Sequence, residues 1–302
     1  MESITGLEAL AERVSTGHRL TDADARVILD SHDLISIGAM ADDVRRRLHG
    51  ARTTFLRVFE IHVDAPSPAA ASGHVTAGEI RVIGQPVSVD SAIAAVRGAA
   101  AVAAGTPVSG FSLVDLQGLA AAAGRSFGEV CGALRKAGLE AIAELPLDLA
   151  GDAAEAVEEA RHAGLRVTSL TVHALEAEGR IAIAVAARAL QEAAGGFKTF
   201  APLPRTMSVS APSTGYDDVK QVALARLLVA NIDSIQVDWA LYGPKLAQVA
   251  LTMGADDVDS VAAYDPGTLG PRRSAIEEIR GNIRAASLEP FERNGRWEAL
   301  AG

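Results

Sequence analysis

Three ionisable side chains alternate within the segment TFLRVFEIHVDAP. Glu60, His62 and Asp64 are spaced two residues apart, and side chains at that spacing lie on one face of a β-strand. A carboxylate–imidazole–carboxylate row is able to transfer protons or to contribute ligands to a metal ion. The same row is also typical of a polar layer or a solvated strand edge without chemistry. Both interpretations stay open at this point.

Further polar side chains lie where other predicted strands end. His173 joins His62 and Asp64 as the predicted catalytic residues. Arg205, in PLPRTM, is able to hold a substrate carboxylate through two parallel hydrogen bonds, although an exposed loop arginine fits the same pattern. The predicted ligand-binding residues are Gln85, Asp115, Glu144, Arg205 and Asp238, and Ser112, Asp148, Thr171 and Lys245 occupy similar positions. Paired zinc-ligand motifs are absent from the sequence, so no metal site is predicted.

The elements that must position these residues alternate in type. Short β-branched runs are separated by Ala-rich stretches of helical period, which predicts a parallel sheet wrapped by helices. Eight runs favour a closed (β/α)8 barrel of TIM type, whose chemistry lies at the carboxyl ends of the strands. We expect a helical N-terminal extension over 1–50, the barrel over 51–271 and a C-terminal cap of the same domain over 272–302. The predicted strands are 54–63, 79–84, 107–113, 140–145, 165–172, 197–201, 234–239 and 258–263.

One crossover is short. Residues 65–78 connect the first two strands, and about 14 residues barely meet the minimum for a parallel connection. The pattern therefore predicts a barrel that is deformed or open between strands 1 and 2. Phe55 and Phe59 would then need cover from the N-terminal helices or from a second subunit, because large exposed apolar patches are uncommon on monomers.

The overall composition excludes several classes of function. The 302 residues carry a formal net charge of −10, and nucleic-acid binding requires a clustered basic surface. No run approaches the ~20 apolar residues of a membrane span, and the first residues do not resemble a signal peptide. We expect a cytoplasmic protein with neither a nucleic-acid nor a membrane partner. Cys131 is the only cysteine, so neither an internal disulfide nor a multi-thiolate metal site is predicted.

The C-terminal half combines TGYDD, the Trp-containing strand SIQVDW, GPKLAQVAL and GADDVD in sequence. This combination resembles the aminofutalosine synthase and dehypoxanthine futalosine cyclase family. Its members are radical S-adenosylmethionine enzymes of the futalosine route to menaquinone, with relatives in deazaflavin cofactor synthesis. Upstream, DLISIGAMADDVRRRLHGARTTF and GFSLVDLQGLAAAAGRSFGEVCGALRKAGL are similar to the same family, so the resemblance covers most of the chain.

The sequence departs from that family where the cofactors would bind. The family's loop after the first strand carries CxxxCxxC, which holds a four-iron four-sulfur cluster. The corresponding positions fall near Ser67, Ala71 and His74. The family's glycine pair after the second strand reads Gly84-Gln85-Pro86, and its glycine triplet at the fourth strand reads Glu144-Leu145-Pro146. We therefore predict that no cofactor is retained: neither the cluster nor the radical use of S-adenosylmethionine.

Two functional hypotheses follow from the resemblance and these departures. The first is a non-catalytic homologue that binds a small-molecule intermediate of the futalosine pathway. Such a protein is also able to form a homodimer, or a heterodimer with an intact family member. The alternative is a retooled, non-radical enzyme that performs hydrolysis or elimination on a futalosine-like nucleoside or an aromatic carboxylate.

Overall fold

Strands and helices alternate through most of the chain in the computed structural model, which describes residues 2–64, 77–206, 213–263 and 275–300. The strands are β1 (Arg52–His62), β2 (Glu79–Ile83), β3 (Val108–Ser112), β4 (Ala141–Pro146), β5 (Arg166–Val167), β6 (Ser169–Val172), β7 (Thr199–Pro204), β8 (Ser234–Asp238), β9 (Asp257–Ala262) and β10 (Glu289–Arg293). Their β-branched and apolar residues fit the pleated, buried surface of a sheet.

The helices begin where polar side chains can cap them. Reciprocal hydrogen bonds between a cap residue and the third helical residue start four helices, at Thr21, Ser88, Ser126 and Thr214. The helices are α1 (Glu2–Ser15), α2 (Asp22–Asp30), α3 (Leu34–His49), α4 (Val89–Val102), α5 (Leu113–Ala122), α6 (Phe127–Ala137), α7 (Ala154–His162), α8 (Arg180–Ala193), α9 (Gly215–Leu228), α10 (Trp239–Thr252) and α11 (Ala275–Ala285).

Eight parallel strands close into a barrel. The order is β1, β2, β3, β4, β6, β7, β8 and β9, and β9 pairs back onto β1. The two-residue β5 pairs β4 beside this ring. The predicted eight-stranded barrel is therefore confirmed. Its strands are parallel, so all their carboxyl ends lie at one mouth.

The predicted opening between strands 1 and 2 is wrong. β1 and β2 pair in continuous register from Val58 with Glu79 to His62 with Ile83. The error lies in deriving strand separation from the length of the connection, because pairing is determined by the hydrogen bonds and side-chain register of the strands themselves. The predicted irregular crossover between these strands concerns residues 65–76, which lie outside the described residues.

The expected exposed apolar patch on β1 is also absent. Phe55 is fully buried, and Phe59 is partly buried against the core. Helix α11 packs against β1 and β9 of the same chain. The protein's own residues therefore cover this strand. Its apolar side chains give no reason to expect association through this face.

The C-terminal segment contributes a strand that sequence analysis did not predict. β10 pairs parallel with Arg52–Leu56, the first half of β1, while β2 pairs with the second half. Gly78 lies where these two partners of β1 meet: a Cβ there would be 2.6 Å from the carbonyl oxygen of Arg293 and 2.8 Å from Leu56 Cδ1. Only glycine allows such a close approach of backbones.

Apolar residues pack between the sheet and the surrounding helices, whereas charged pairs fill part of the barrel lumen. Asp257 accepts two hydrogen bonds of 2.7 Å from Arg293, and Asp259 accepts two of 3.0 Å from Arg81. Within the described ranges, the helices are too short or too polar for any of them to span a bilayer.

Candidate functional site

A cavity of about 440 Å³ opens at the mouth formed by the carboxyl ends of the strands. Cavities at this end of such barrels are the usual place for ligands and catalysis. Its lining combines ionisable side chains with an apolar wall. The lining residues include Glu60, Arg81, Val82, Ile83, Gly84, Phe111, Ser112, Asp115, Ala143, Glu144, His173, Arg205, Asp238, Ala240, Leu241 and Ser260.

Arg205 forms the centre of one charged group. Its Nε lies 2.6 Å from Glu144 Oε2 in an ion pair, and its Nη1 donates a 3.1 Å hydrogen bond to Asp238 Oδ2. Thr171 donates to Glu144, and Ser260 donates to Asp238. Burial by itself lowers the pKa of Arg205, but the two carboxylates outweigh burial and raise it. The guanidinium is thus held by protein carboxylates, so the predicted role of binding a substrate carboxylate has no support in this geometry.

Arg81 forms a second charged group that sequence analysis missed. Its guanidinium donates to both oxygens of Asp259 and, from Nε, to Glu79 at 2.8 Å. Burial raises the pKa of Asp259, but the charge and hydrogen bonds of Arg81 outweigh it and lower the pKa to about 2. Period-two alternation places Glu79 and Arg81 on one face of β2, which is the signal that could have identified them. The partner Asp259 lies 178 residues away in sequence, so the pair itself could not be predicted.

Asp115 lies in the first turn of α5 and lines the same cavity. Burial raises the pKa of its carboxyl, and the negative charge of Glu144 raises it further. A 3.3 Å hydrogen bond from the Gln85 amide to Asp115 Oδ1 acts in the opposite direction. Gln85 therefore contacts a cavity residue without being part of the lining itself.

His173 lines the cavity from the loop after β6, and its backbone is held on both sides. Asp148 accepts hydrogen bonds from the backbone N–H of His173 at 2.7 Å and of Ala174 at 2.8 Å. Thr206 donates to the His173 carbonyl from its hydroxyl at 2.7 Å and from its own backbone N–H at 2.9 Å. This arrangement fixes the direction in which the imidazole leaves the loop.

We expect Asp148→Ala to loosen this loop without unfolding the protein. Removing the carboxylate deprives two exposed backbone N–H groups of their acceptor, a loss of about 1 kcal/mol. Hydrogen exchange of the amides of residues 173 and 174 should accelerate about fivefold or more. Asp43→Ala, on the exposed side of α3, is the control. Unchanged exchange at 173 and 174 would show that Asp148 does not hold the loop.

His62 and Asp64 do not join this cavity. Their side chains are 54% and 69% exposed, with His62 Nδ1 3.8 Å from Asp64 Oδ2. The His62 ring packs over Gly84, where an added Cβ would be 2.9 Å from Cε1 and Nε2. The predicted catalytic set is thus divided: His173 lies in the cavity, whereas His62 and Asp64 lie outside it. Strand alternation predicts the face of a side chain but not whether it extends beyond the barrel mouth.

Five of the predicted ligand-binding and catalytic residues do come together in the cavity. They are Asp115, Glu144, His173, Arg205 and Asp238. Glu60 joins them, and Lys245 is exposed on α10 outside the cavity lining. No cluster of three or more His, Cys, Asp or Glu suited to a metal ion occurs within the described parts of the chain.

Cys131 lies on α6, outside the cavity lining. The side chain is completely buried. Burial, followed by the charge of Glu159, raises the pKa of its thiol to about 12. A thiol in this state is an inert core residue, because the thiolate is the form that binds metals.

Comparison with known proteins places these features in context. Residues 198–301 match the family described as the CofH/MqnC C-terminal region. The chain is 34% identical over 156 residues to aminodeoxyfutalosine synthase of Streptomyces coelicolor, covering 44% of this chain and 40% of that protein. It is 26% identical over 357 aligned positions to aminodeoxyfutalosine synthase of Thermus thermophilus, covering 96% and 95%. It is also 33% identical over 142 residues to 5-amino-6-(D-ribitylamino)uracil–L-tyrosine 4-hydroxyphenyl transferase of Methanococcoides burtonii, covering 41% and 39%.

Solved structures share the architecture at low identity. Methylornithine synthase (PylB) superposes with a TM-score of 0.64 at 14% identity, covering 93% of this chain and 97% of that one. The [FeFe]-hydrogenase maturase HydG superposes with a TM-score of 0.65 at 13% identity, covering 95% and 75%. At such identities the likeness concerns the barrel fold alone.

Proposed function

Because this chain belongs to the family of aminodeoxyfutalosine synthase and its CofH/MqnC relatives, we propose that it is a cluster-less homologue that binds a small molecule of the futalosine pathway. Ligand binding takes place in the cavity at the barrel mouth. The observation that carries the proposal is the chemistry of Cys131, the single cysteine of the sequence.

The residues present do not fit the cluster of the homologues. Those enzymes are radical S-adenosylmethionine enzymes that use a four-iron four-sulfur cluster, and such a cluster is held by several cysteine thiolates. Cys131 supplies at most one thiol, which is buried within α6 with a raised pKa. The function proposed for this protein therefore involves no radical chemistry.

Side chains also lie at or against positions where the family that this sequence resembles has glycines. Glu144, on β4, is engaged by Arg205 and Thr171. The His62 ring packs over Gly84 after β2. These contacts lie at positions where the resemblance implies cofactor binding, and they support a changed use of this end of the barrel.

Trp239 offers a test of ligand binding. It follows the cavity residue Asp238 and precedes Ala240 and Leu241, which also line the cavity. The other tryptophan, Trp297, stacks on Arg293. In a Trp297→Phe variant, Trp239 is the sole indole emitter, and we expect its emission to change saturably with at least one futalosine-pathway compound. A double variant that also carries Trp239→Phe controls for inner-filter effects. Emission that stays unchanged with every such compound would contradict binding at this mouth.

A retooled enzyme is the second candidate, and one observation favours it. Asp115, whose carboxyl pKa is raised by burial and by Glu144, lines the same cavity as His173. A carboxyl group with a raised pKa beside an imidazole is suited to acid–base catalysis of hydrolysis or elimination. Chromatography of the bound compound separates the candidates, because a binding protein returns it unchanged whereas an enzyme converts it.

Association stays a separate proposal. A homodimer, or a heterodimer with an intact family member, is compatible with a cluster-less homologue. Light scattering of the purified protein, alone and mixed with such a member, tests both.

A further inference from the structure

The cavity at the barrel mouth has an excess of acidic side chains. Glu60, Asp115, Glu144 and Asp238 contribute four carboxylates to its lining, whereas Arg81 and Arg205 contribute two guanidiniums. Charges that line a partly closed cavity act through a lower dielectric than water and are felt strongly by a ligand. The lining therefore favours a positively charged ligand over a negatively charged one.

The two guanidiniums offset this excess only in part, because each lies against two protein carboxylates. Arg81 contacts Asp259 and Glu79, both of which are buried. Arg205 contacts Glu144 and Asp238. An anionic ligand would have to compete with these ion pairs and would approach further carboxylates while doing so.

Asp115 and Glu144 form the part of the lining that a cation would stabilise most. Burial raises the pKa of the Asp115 carboxyl, and the negative charge of Glu144 raises it further. Asp115 Oδ1 accepts a 3.3 Å hydrogen bond from the Gln85 amide, which is neutral and does not offset this charge. A ligand cation placed near both carboxylates would relieve their repulsion and gain charge-assisted hydrogen bonds.

Part of the lining is apolar. Val82, Ile83, Phe111 and Leu241 contribute hydrocarbon or aromatic surface. The Leu241 side chain is 51% exposed at the mouth, so burial by a ligand would be favourable. The cavity thus offers both acidic groups and a surface for a flat apolar body.

We infer that the cavity binds an organic cation, a primary ammonium or amidinium group carried on an aromatic or similarly flat apolar body. The charged group contacts Asp115 and Glu144, and the body packs against Phe111 and Leu241. This inference rests on the proposed ligand-binding function and names the chemical class of the ligand.

Three monosubstituted benzene compounds that differ mainly in charge test this inference. Calorimetric titration of the full chain with benzylamine, benzyl alcohol and benzoate at neutral pH should rank their affinities in that order. Asp115→Asn and Glu144→Gln should each weaken benzylamine binding about tenfold. Neither substitution should weaken binding of benzyl alcohol by more than about twofold, because no charge is lost to it.

Glu289→Gln serves as the matched control. Glu289 is an exposed acid at the start of β10, in register with Arg52 at the start of β1. This is the end of the barrel opposite the cavity, so its loss should leave all three affinities unchanged. Benzoate binding as tightly as benzylamine would overturn the inferred ligand class while leaving the mouth as a binding site. If none of the three probes binds, the inferred ligand class fails, whereas the proposed binding function is decided by the Trp239 titration with futalosine-pathway compounds.

Discussion

Replacing Arg226 by methionine is expected to lower the free energy of unfolding by about 3–5 kcal/mol, because it leaves a buried charge without its partner. Arg226 on α9 is completely buried. It donates to Asp256 from Nη2, to the Gly254 carbonyl at 2.8 Å and to the Asp233 carbonyl at 3.1 Å. Burial lowers the pKa of Arg226 and raises that of Asp256, so the two charges depend on each other to remain in the core.

Urea denaturation followed by circular dichroism measures this effect. The double variant Arg226→Met with Asp256→Asn should recover part of the loss, since the unpaired charge is removed as well. Arg19→Met is the matched surface control. Its ion pair with Glu192 is exposed, and its loss should cost less than about 1 kcal/mol. A loss at Arg226 no larger than that at Arg19 would contradict the importance of the buried pair.

A second large effect is expected from Asp259→Asn, and it should depend on pH. The carboxyl of Asp259 has its pKa lowered to about 2 in the folded protein, against about 3.9 in an unfolded chain. A lowered folded-state pKa contributes stability that is present above the unfolded value and is lost as pH falls from about 4 to 2. The variant should therefore be less stable than the parent by about 2–3 kcal/mol at pH 7, and the difference should shrink below pH 4.

Denaturation midpoints of parent and variant at a series of pH values between 7 and 3 provide the measurement. Asp43→Asn is the control, because the Asp43 pair with Arg47 is largely exposed and its loss should change stability by a few tenths of a kcal/mol at every pH. A difference between parent and Asp259→Asn that is independent of pH would exclude the charge of Asp259 as its source.

The barrel could be predicted from the sequence because its signals are local. Each β-branched run and each Ala-rich stretch reports its own periodicity, and eight such runs indicate closure. β10 was missed because its segment EPFER contains a proline and charges, features that usually argue against a strand. β10 pairs with the first half of β1 on the side that β2 leaves unpaired. Local sequence does not show that this side is open.

The site was predicted only in part, for the same reason. Asp115, Glu144, His173, Arg205 and Asp238 were predicted together because they lie at or just after the carboxyl ends of predicted strands, and they do line one cavity. The pairing of Arg205 with Glu144 and Asp238, which changes its role, is a long-range contact. Likewise, the packing of His62 over Gly84 depends on how the ends of β1 and β2 lie relative to each other. The alternation of side chains along one strand does not predict this.

We propose above all that this chain does not assemble a four-iron four-sulfur cluster. Anaerobic reconstitution with iron and sulfide, carried out in parallel on aminodeoxyfutalosine synthase of Thermus thermophilus, tests it most directly. We expect no visible sulfide-to-iron charge-transfer absorbance and no stoichiometric iron after desalting. We also expect no difference between the parent chain and Cys131→Ala. Stoichiometric iron and sulfide with that absorbance, retained by the parent chain after desalting, would contradict the claim.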